Sequence, residues 1–305
     1  MEKILKDIGE FGLIDEIKRW ARPNTPRVRL GIGDDAAVLS AARGKDILFT
    51  TDMLIEDRHF RRSEATAYEI GRKALAVNLS DIAAMGGVPT SAVIAAGLPA
   101  DLPVDFAREM YRGLKDLARV FKVDIAGGDT NLSEKIILSV ALLGEVPRGK
   151  ALKRSGAKNG DVVFVTGSLG GSYASKKHLH FIPRIKEAGF LAGNFNIHSM
   201  MDISDGLAMD IHKIAKASRV GILLSERAIP SSGDIQRALT DGEDFELLFT
   251  LPPAEAAKLT LTPPKKGLAA FHPVGKVVEK KYGVRLVKNG GTVVKLAEKG
   301  FDHFR

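Results

Sequence analysis

The 305-residue sequence contains no cysteine, which excludes disulfide bonds, thiolate metal sites and cysteine nucleophiles. Aromatic residues make up only 6% of the chain, and they are not interleaved with basic residues as a stacking platform for bases requires. No apolar run approaches the roughly 20 residues of a membrane-spanning helix. The chain also lacks a P-loop string and the His-Arg-Asp and Asp-Phe-Gly strings of protein kinases. We therefore expect neither a membrane protein nor a site of these two common ATP-binding types.

The charge balance is basic, with a formal net charge of +8. The basic residues are dispersed, apart from a denser patch at 148–158 and the pair Lys280-Lys281. This distribution favours a solvated surface over a nucleic-acid partner. The first seven residues are charged and amphipathic, without the apolar centre of a signal peptide, so a cytoplasmic location is expected.

Short segments that place aspartate beside glycine, serine, threonine or asparagine recur along most of the chain, and most of them follow a strand-like apolar run. Strand ends that are distant in sequence can meet in space, and two carboxylates about 4 Å apart repel by roughly 4 kcal/mol at an effective dielectric near 20. A converging set would need cations, and hard oxygen ligands select Mg²⁺ or Ca²⁺. The pattern predicts a phosphate site with several Mg²⁺ ions. The segments are 31–35 (GIGDD), 50–52 (TTD), 78–81 (NLSD), 127–130 (GGDT), 201–206 (MDISDG) and 241–244 (DGED).

The apolar periodicity predicts an α/β protein of two domains. Helices are predicted at 4–20, 65–85, 104–121 and from residue 207 onward, and strands at 37–39, 47–51, 91–97, 123–126, 135–145, 162–166 and 245–251. The Lys288-Asn289-Gly290-Gly291 sequence between two strand-like runs predicts a hairpin. Residues 147–161 are polar, basic and glycine-containing, which indicates an interdomain linker. Residues 167–171 (GSLGG) are a weak glycine loop that is equally compatible with a simple turn.

Each acidic segment taken alone has an ordinary structural explanation. Aspartate beside glycine forms turns, and Asp205 before a helix could be a cap. His59 is more often a surface histidine than a ligand. A metal-dependent phosphohydrolase could use the same acidic cluster, and a non-enzymatic cation-binding protein is a further alternative, although the twelve-residue spacing of an EF-hand loop is missing.

The order and spacing of six motifs resemble the thiamine-monophosphate kinase family, which belongs to the aminoimidazole ribonucleotide synthetase superfamily. The resemblance runs from about residue 8 to the terminal 300–304. It implies transfer of the ATP γ-phosphoryl group to thiamine monophosphate, directly and without a phosphoenzyme, giving thiamine diphosphate and ADP. Another ATP-using member of the superfamily is the alternative; the relatives that depend on a reactive cysteine do not fit this chain. The motifs are 31–38 (GIGDDAAV), 50–52 (TTD), 74–86 (ALAVNLSDIAAMG), 127–130 (GGDT), 202–207 (DISDGL) and 242–247 (GEDFEL).

The same resemblance implies roles for individual residues. The acceptor would meet His59, Glu243 and Phe301, and an aromatic face beside the cationic thiazolium contributes about 0.5–2 kcal/mol. The implied Mg²⁺ ligands are Asp35, Thr50, Thr51, Asp52, Asp81, Asp129, Asp202 and Asp205. The implied nucleotide contacts are Gly128, Asp129, Arg154, Ser204 and Tyr111, and the implied catalytic residues are Asp129, Asp205 and Arg154.

The family fold implies an N-terminal α/β domain over 1–146, with the Mg/ATP-binding acidic loops, and a C-terminal α/β domain over 147–305 that completes the ATP and thiamine phosphate site. It also implies a homodimer in which the N-terminal sheets pair. Two departures from the family pattern are present. Asp241 stands where glycine is usual, and the stretch between Gly171 and Met201 is short.

Overall fold

The computed structural model describes residues 43–263 and 266–301, together with Ile4, Glu16, Ile17, Arg19, Trp20, Val28–Leu30 and Val38–Leu39. The chain divides into two compact units. The first comprises 1–82 and 88–149, and the second comprises 83–87 and 150–305. None of the described helices is long and apolar enough to cross a membrane.

The first unit contains a four-stranded sheet in the order β3-β6-β4-β5 and a separate antiparallel pair, β1-β2. Strands β4 and β5 are parallel and are joined through helix α2, whereas β3-β6 and β6-β4 are antiparallel. The elements are β1 Val28–Leu30, β2 Val38–Leu39, β3 Lys45–Ile55, α1 Ala67–Ala84, β4 Val88–Leu98, α2 Val104–Phe121, β5 Asp124–Leu132 and β6 Ile137–Pro147.

The two faces of this sheet differ in burial. Strand β6 alternates strictly, with Leu138, Val140 and Leu142 completely buried and their neighbours only partly buried. Successive side chains of a strand point to opposite faces, so one face is packed in the core and the other is more open. The open face carries large apolar side chains of β3, with Phe49 72% and Ile47 60% exposed.

The second unit is built on a seven-stranded sheet in the order β13-β12-β9-β11-β7-β10-β8. All its neighbouring strands are antiparallel except β9 and β12. The elements are β7 Val162–Thr166, α3 Lys177–His180, α4 Ile185–Asn194, β8 Ser199–Asp202, α5 Leu207–Ser218, β9 Gly221–Ser225, α6 Ile235–Thr240, β10 Leu247–Leu251, α7 Pro253–Leu261, β11 Phe271–Val278, β12 Val284–Val287 and β13 Val293–Lys295.

Both faces of the central strands in this sheet are covered. Val163 and Val165 of β7 belong to a core cluster that includes residues of α5 and α6. Phe164, between them, belongs to a second cluster that includes residues of α4 and α7. This arrangement explains why β7 and β10 are mostly apolar and show no apolar–polar alternation, because a strand covered on both faces has no solvent side to mark with polar residues.

Several sequence-predicted elements are confirmed, including the helix at 104–121, the strand at 162–166 and the C-terminal hairpin. The helix predicted at 4–20 lies mostly outside the described residues. The sequence did not predict β1, α3, α4, β8, β9, α6, α7 or β11. Strand β11 contains Pro273 and Gly275 beside an irregularity in its register with β7, and both residue types interrupt strand patterns.

Candidate active site

A hydrogen bond between two predicted metal ligands, Thr50 of β3 and Asp81 of α1, joins these two elements. Thr50 Oγ1 donates a 2.5 Å hydrogen bond to Asp81 Oδ2. Asp52 lies two residues farther along β3, on the same face as Thr50, and opposite buried Val140. These three residues therefore share the helix-covered face. Asp35 lies outside the described residues.

Two other predicted ligands of this unit lie on the open face. Thr51 is paired with Ala141, and its Oγ1 is 3.4 Å from Ser139 Oγ. Asp129 is exposed and pairs with Ala95 in the parallel β4-β5 ladder. The structure thus separates Thr51 and Asp129 from the Thr50-Asp81 pair by sheet face. Within the described ranges, no group of three or more acidic or histidine side chains is arranged to hold a metal ion.

Two buried oxygen atoms lie near these residues in sequence and have no hydrogen-bond partner. They are Asn78 Oδ1, one helical turn before Asp81, and Thr130 Oγ1, directly after Asp129. A buried polar atom without a partner costs about 1–3 kcal/mol. The sequence indicates Asn78 by its place in the NLSD segment, but the orphaned oxygen is visible only in the structure.

The loop after β3 fixes the orientation of His59. The backbone amide of Ile55 donates a 2.9 Å hydrogen bond to His59 Nδ1. When the imidazole is neutral, Nδ1 is therefore the acceptor and Nε2 carries the proton. The carbonyl oxygen of His59 accepts a 2.8 Å hydrogen bond from Lys73 Nζ, and Lys73 is completely buried. Sequence reasoning missed Lys73, although a lysine in the apolar, small-residue pattern of α1 is an available signal.

Two implied nucleotide contacts in the first unit have tight packing environments. Tyr111 is only 2% exposed, and its ring lies 6.1 Å from that of Trp20. Burial raises the pKa of its phenol. At Gly128, an added Cβ would lie 2.0 Å from the carbonyl oxygen of Ile94. The packing of Tyr111 and the close strand approach at Gly128 explain these residue types by themselves, and their contact with a nucleotide stays a prediction.

In the second unit, one turn brings four sequence-predicted residues together. Glu243 donates its backbone N–H to the carbonyl oxygen of Ser204 at 2.7 Å. Phe301 donates its backbone N–H to the carbonyl oxygen of Asp205 at 2.9 Å. Glu243 has a φ of 52°, in the left-handed region. Asp202 ends β8 immediately before this turn. Segments nearly one hundred residues apart in sequence therefore meet at Ser204 and Asp205.

Charged side chains under the turn form a compact group around Lys213. Its Nζ lies 2.5 Å from Asp205 Oδ2 and 2.7 Å from Asp210 Oδ1. Burial raises the pKa of Asp210 to about 7, a shift that Lys213 opposes and that Asp205 and Asp202 increase. Burial disfavours the charged form of Lys213, but Asp210 and Asp205 outweigh it and the pKa of Lys213 is raised. Sequence reasoning identified Asp205 but not Asp210 or Lys213.

The glycine loop at 167–171 is anchored by the DGED segment. Gly170 donates its backbone N–H to Asp244 Oδ2 at 2.9 Å, and Gly171 donates to Asp241 Oδ2 at 3.2 Å. Ser172 Oγ donates to the carbonyl oxygen of Glu243 at 2.6 Å. Burial raises the pKa of Asp244 to about 6. Asp241 therefore holds the loop from one side.

A buried ion pair network lies beside this loop. Glu246 accepts hydrogen bonds from Arg184 Nε at 2.6 Å and Arg184 Nη2 at 2.7 Å, and from Thr166 Oγ1 at 2.7 Å. Lys177 Nζ is 3.0 Å from Glu246 and 3.5 Å from Asp244. Arg184 and Lys177 belong to the short 171–201 stretch, so the sequence offered no signal that they reach the GEDFEL motif.

The side chain of Arg154 is exposed, and its backbone carbonyl oxygen accepts a 3.1 Å hydrogen bond from Ser218 Oγ. This bond attaches the Arg154 backbone to the C-terminal end of α5. The guanidinium is left at the surface, where its implied contact with a nucleotide stays a prediction.

The sequence and the structure are both similar to those of known proteins. Residues 33–146 match the family described as AIR synthase related protein, N-terminal domain, and residues 158–288 match its C-terminal domain family. The thiamine-monophosphate kinase of Bacillus subtilis (strain 168) is 36% identical over 97% of this chain and 99% of its own. The thiamine-monophosphate kinase of Stenotrophomonas maltophilia K279a superposes with a TM-score of 0.81 at 30% identity, over 95% and 98% of the two chains. The structure of AaThiL complexed with AMPPCP and TMP gives 0.75 at 34% identity, over 99% of both.

Proposed function

This chain belongs to the thiamine-monophosphate kinase family, and from that premise we propose that it transfers the γ-phosphoryl group of ATP to thiamine monophosphate, giving thiamine diphosphate and ADP. The observation that carries the proposal is the 36% identity with a kinase of this name over nearly the full length of both chains. The superposition on a relative that holds AMPPCP and TMP supports the same donor and acceptor.

We propose that Mg²⁺ accompanies the nucleotide, because the donor chemistry of the predicted ligands fits it. All of them offer carboxylate or hydroxyl oxygens, which Mg²⁺ prefers, and buried Asn78 Oδ1 is an unpartnered oxygen one turn from Asp81. Bound Mg²⁺ would offset the negative charge of the triphosphate. Because Thr51 and Asp129 lie on the other sheet face from Thr50 and Asp81, we propose several ions rather than one. The residues proposed to hold them are Asp35, Thr50, Thr51, Asp52, Asp81, Asp129, Asp202 and Asp205.

For the nucleotide, we propose contacts from Gly128, Asp129, Tyr111, Arg154 and Ser204. Arg154 has a planar, permanently charged guanidinium at the surface, which suits the oxygens of a transferring phosphoryl group. Phosphoryl transfer is catalysed mainly by positioning and by charge stabilisation. We therefore assign Arg154, together with Asp129 and Asp205, to a direct in-line transfer.

For thiamine monophosphate, we propose His59, Glu243 and Phe301. The Nε2–H of His59 is a donor suited to a phosphate oxygen, because Nδ1 is already engaged by the Ile55 amide. Glu243 and Phe301 are held at adjacent residues of one turn. A carboxylate and a 41% exposed aromatic ring suit a cationic thiazolium.

The open face of the first unit supports a homodimer, which we also propose. Ile47, Phe49 and Met53 of β3 are 60%, 72% and 50% exposed, and Val93 of β4 is 39% exposed on the same face. Contiguous exposed apolar side chains of this kind mark interaction surfaces. Sedimentation should show a dimer for the wild type and a monomer for Phe49→Asp; a wild-type monomer at micromolar concentration would exclude the pairing.

We propose the cytoplasm as the location of the protein, since ATP is the donor.

The decisive experiment follows ADP and inorganic phosphate separately, with Mg²⁺ and ATP present and thiamine monophosphate added or omitted. A kinase forms ADP and thiamine diphosphate only when the acceptor is present. Release of inorganic phosphate at the same rate without the acceptor would overturn the proposal in favour of a phosphohydrolase. Loss of turnover on chelation of Mg²⁺ with EDTA, restored by excess Mg²⁺, tests the cation.

A further inference from the structure

Lys213 holds Asp205 and Asp210 at the same time. Its Nζ is 2.5 Å from Asp205 Oδ2 and 2.7 Å from Asp210 Oδ1. Asp210 is completely buried, and its second oxygen, Oδ2, accepts a 3.0 Å hydrogen bond from the backbone N–H of Asp205. Asp205 is therefore fixed twice, through its side chain by Lys213 and through its backbone by Asp210.

These contacts occupy only one of the two carboxylate oxygens of Asp205. In the part of the chain that the structure describes, Oδ1 of Asp205 makes no hydrogen bond or ion pair, and the side chain is 30% exposed. A carboxylate that is held through one oxygen presents the other in a fixed direction. Carboxylates that bind metal ions are commonly held in this way, and removing the supporting partner typically costs about 10–100-fold in metal affinity.

We propose that Lys213 is a positioning residue for Asp205, which it holds through Oδ2 so that Oδ1 is directed at the divalent cation that accompanies the nucleotide. The inference rests on the proposed function, because that function requires such a cation. Lys213 contacts neither nucleotide nor acceptor in this assignment; it acts through Asp205. The nearby turn is the one that also carries Glu243 and Phe301.

The direction in which cation affinity changes when Lys213 is removed distinguishes this role from two simpler ones. A positive charge beside a cation site repels the cation, so a purely electrostatic lysine predicts tighter cation binding once it is removed. A lysine that only neutralises buried Asp210 predicts lower stability with unchanged cation binding. A positioning lysine predicts weaker cation binding, against the direction of the charge change.

The test is the Lys213→Met variant, with Mn²⁺ as the probe. The EPR signal of free Mn²⁺ is titrated in the presence of AMPPCP, so no turnover is needed. We expect the dissociation constant for Mn²⁺ to rise about tenfold or more, with a smaller rise for Lys213→Arg, which keeps a cationic donor. Unchanged or tighter binding in Lys213→Met, or no Mn²⁺ binding by the wild type, would overturn the inference.

Lys216→Met is the matched control. Lys216 lies on the same helix, α5, is exposed, and forms no ion pair with the described residues. The variant removes the same charge one turn away, and its Mn²⁺ affinity should equal that of the wild type. Equal weakening by both substitutions would assign the effect to the general field and overturn the positioning role.

A second variant protects the test against loss of folding. Lys213→Met leaves buried Asp210 without its cation, and Asp210→Asn in the same chain removes that charge while keeping an acceptor for the Asp205 N–H. The double variant should still bind Mn²⁺ more weakly than Asp210→Asn alone. In a chain that already carries Asp205→Asn, by contrast, Lys213→Met should change the dissociation constant for Mn²⁺ little further, because the carboxylate that Lys213 positions is gone. A wild type that binds Mn²⁺ but shows no acceptor-dependent ADP formation would refute the proposed function. The role of Lys213 would still be decided, by the Mn²⁺ affinities of the variants.

Discussion

Arg184 and Glu246 form a bidentate ion pair in the second unit, with Arg184 Nε and Nη2 at 2.6 and 2.7 Å from the two carboxylate oxygens. Glu246 is 1% exposed. Parallel hydrogen bonds of this kind are among the strongest between side chains, and removing one member of a buried pair leaves the other charge uncompensated. The pair fixes the short 171–201 stretch to the GEDFEL motif.

Arg184→Met should therefore lower the free energy of unfolding by about 3 kcal/mol, at the lower end of the range for a broken buried pair because Lys177 remains. Adding Glu246→Gln should restore part of the loss. Urea unfolding measures both. Lys281→Met is the control, since its pair with Glu279 is exposed and should contribute less than about 1 kcal/mol. A loss for Arg184→Met no larger than that of the control would contradict a structural role for the pair.

Gly128→Ala should destabilise the first unit by about 1–3 kcal/mol. The new Cβ would lie 2.0 Å from the carbonyl oxygen of Ile94, so β4 and β5 must separate locally. Gly127→Ala is a control at the preceding position, where the nearest atom is 3.9 Å away. Thermal unfolding of the two variants gives the comparison. Similar melting temperatures would show that the strands have more room at Gly128 than this geometry allows.

The hydrogen bond from Ile55 to His59 Nδ1 predicts different effects for two substitutions. His59→Asn keeps an acceptor for the Ile55 amide but loses the Nε2–H, and we expect the KM for thiamine monophosphate to rise about tenfold or more, the value of a hydrogen bond to a charged group. His59→Gln places an amide N–H near the position of Nε2 and should be milder. The KM for ATP should change little in both. A rise confined to the KM for ATP would remove His59 from the acceptor site.

Asp81→Asn and Asp129→Asn should each reduce phosphoryl transfer by at least about 100-fold, since metal ligands are lost. Both chains should still fold, because Asp129 is exposed and an asparagine at 81 can still accept the Thr50 hydroxyl. Steady-state turnover and circular dichroism test the two halves of this prediction. Wild-type turnover in both variants would exclude the assigned metal roles.

Asp244 predicts a pH dependence of stability. Its folded pKa of about 6 exceeds its ordinary value of 3.8 because of burial, so the folded state binds the proton more tightly. The resulting stabilisation is complete below pH about 4 and is lost as the pH rises through 6. Asp244→Asn should therefore gain stability relative to the wild type by up to about 3 kcal/mol between pH 4 and pH 8.

Urea unfolding at several pH values measures this difference, with Asp101→Asn, an exposed aspartate, as the control. The control removes an exposed carboxylate under the same conditions. The gain in the free energy of unfolding of Asp244→Asn over the wild type should rise with pH. If it does not change with pH, or declines, the carboxylate is not the buried, poorly solvated group that the structure indicates.

Sequence periodicity predicted elements whose stabilising contacts are repeated at a regular spacing. Helix α2 begins and ends where its apolar pattern does, at Val104 and Phe121, and strand β7 coincides with the apolar run at 162–166. Strand β11 was missed because Pro273 and Gly275 disturb the pattern, and its position between β7 and β9 compensates for that local cost. Long-range pairing of this kind leaves no trace in a short window of sequence.

The candidate site shows the same division. The motif order alone predicted the family and the residues that carry acidic chemistry, since residue type and spacing are properties of the sequence. Only the folded chain decided that Thr50 and Asp81 share one sheet face while Thr51 and Asp129 occupy the other. The fold also decided that Phe301 meets Asp205, and that Lys213 fixes one carboxylate oxygen of that residue. Such contacts depend on strand register and on turns that join distant segments, and therefore on the packing of the whole unit.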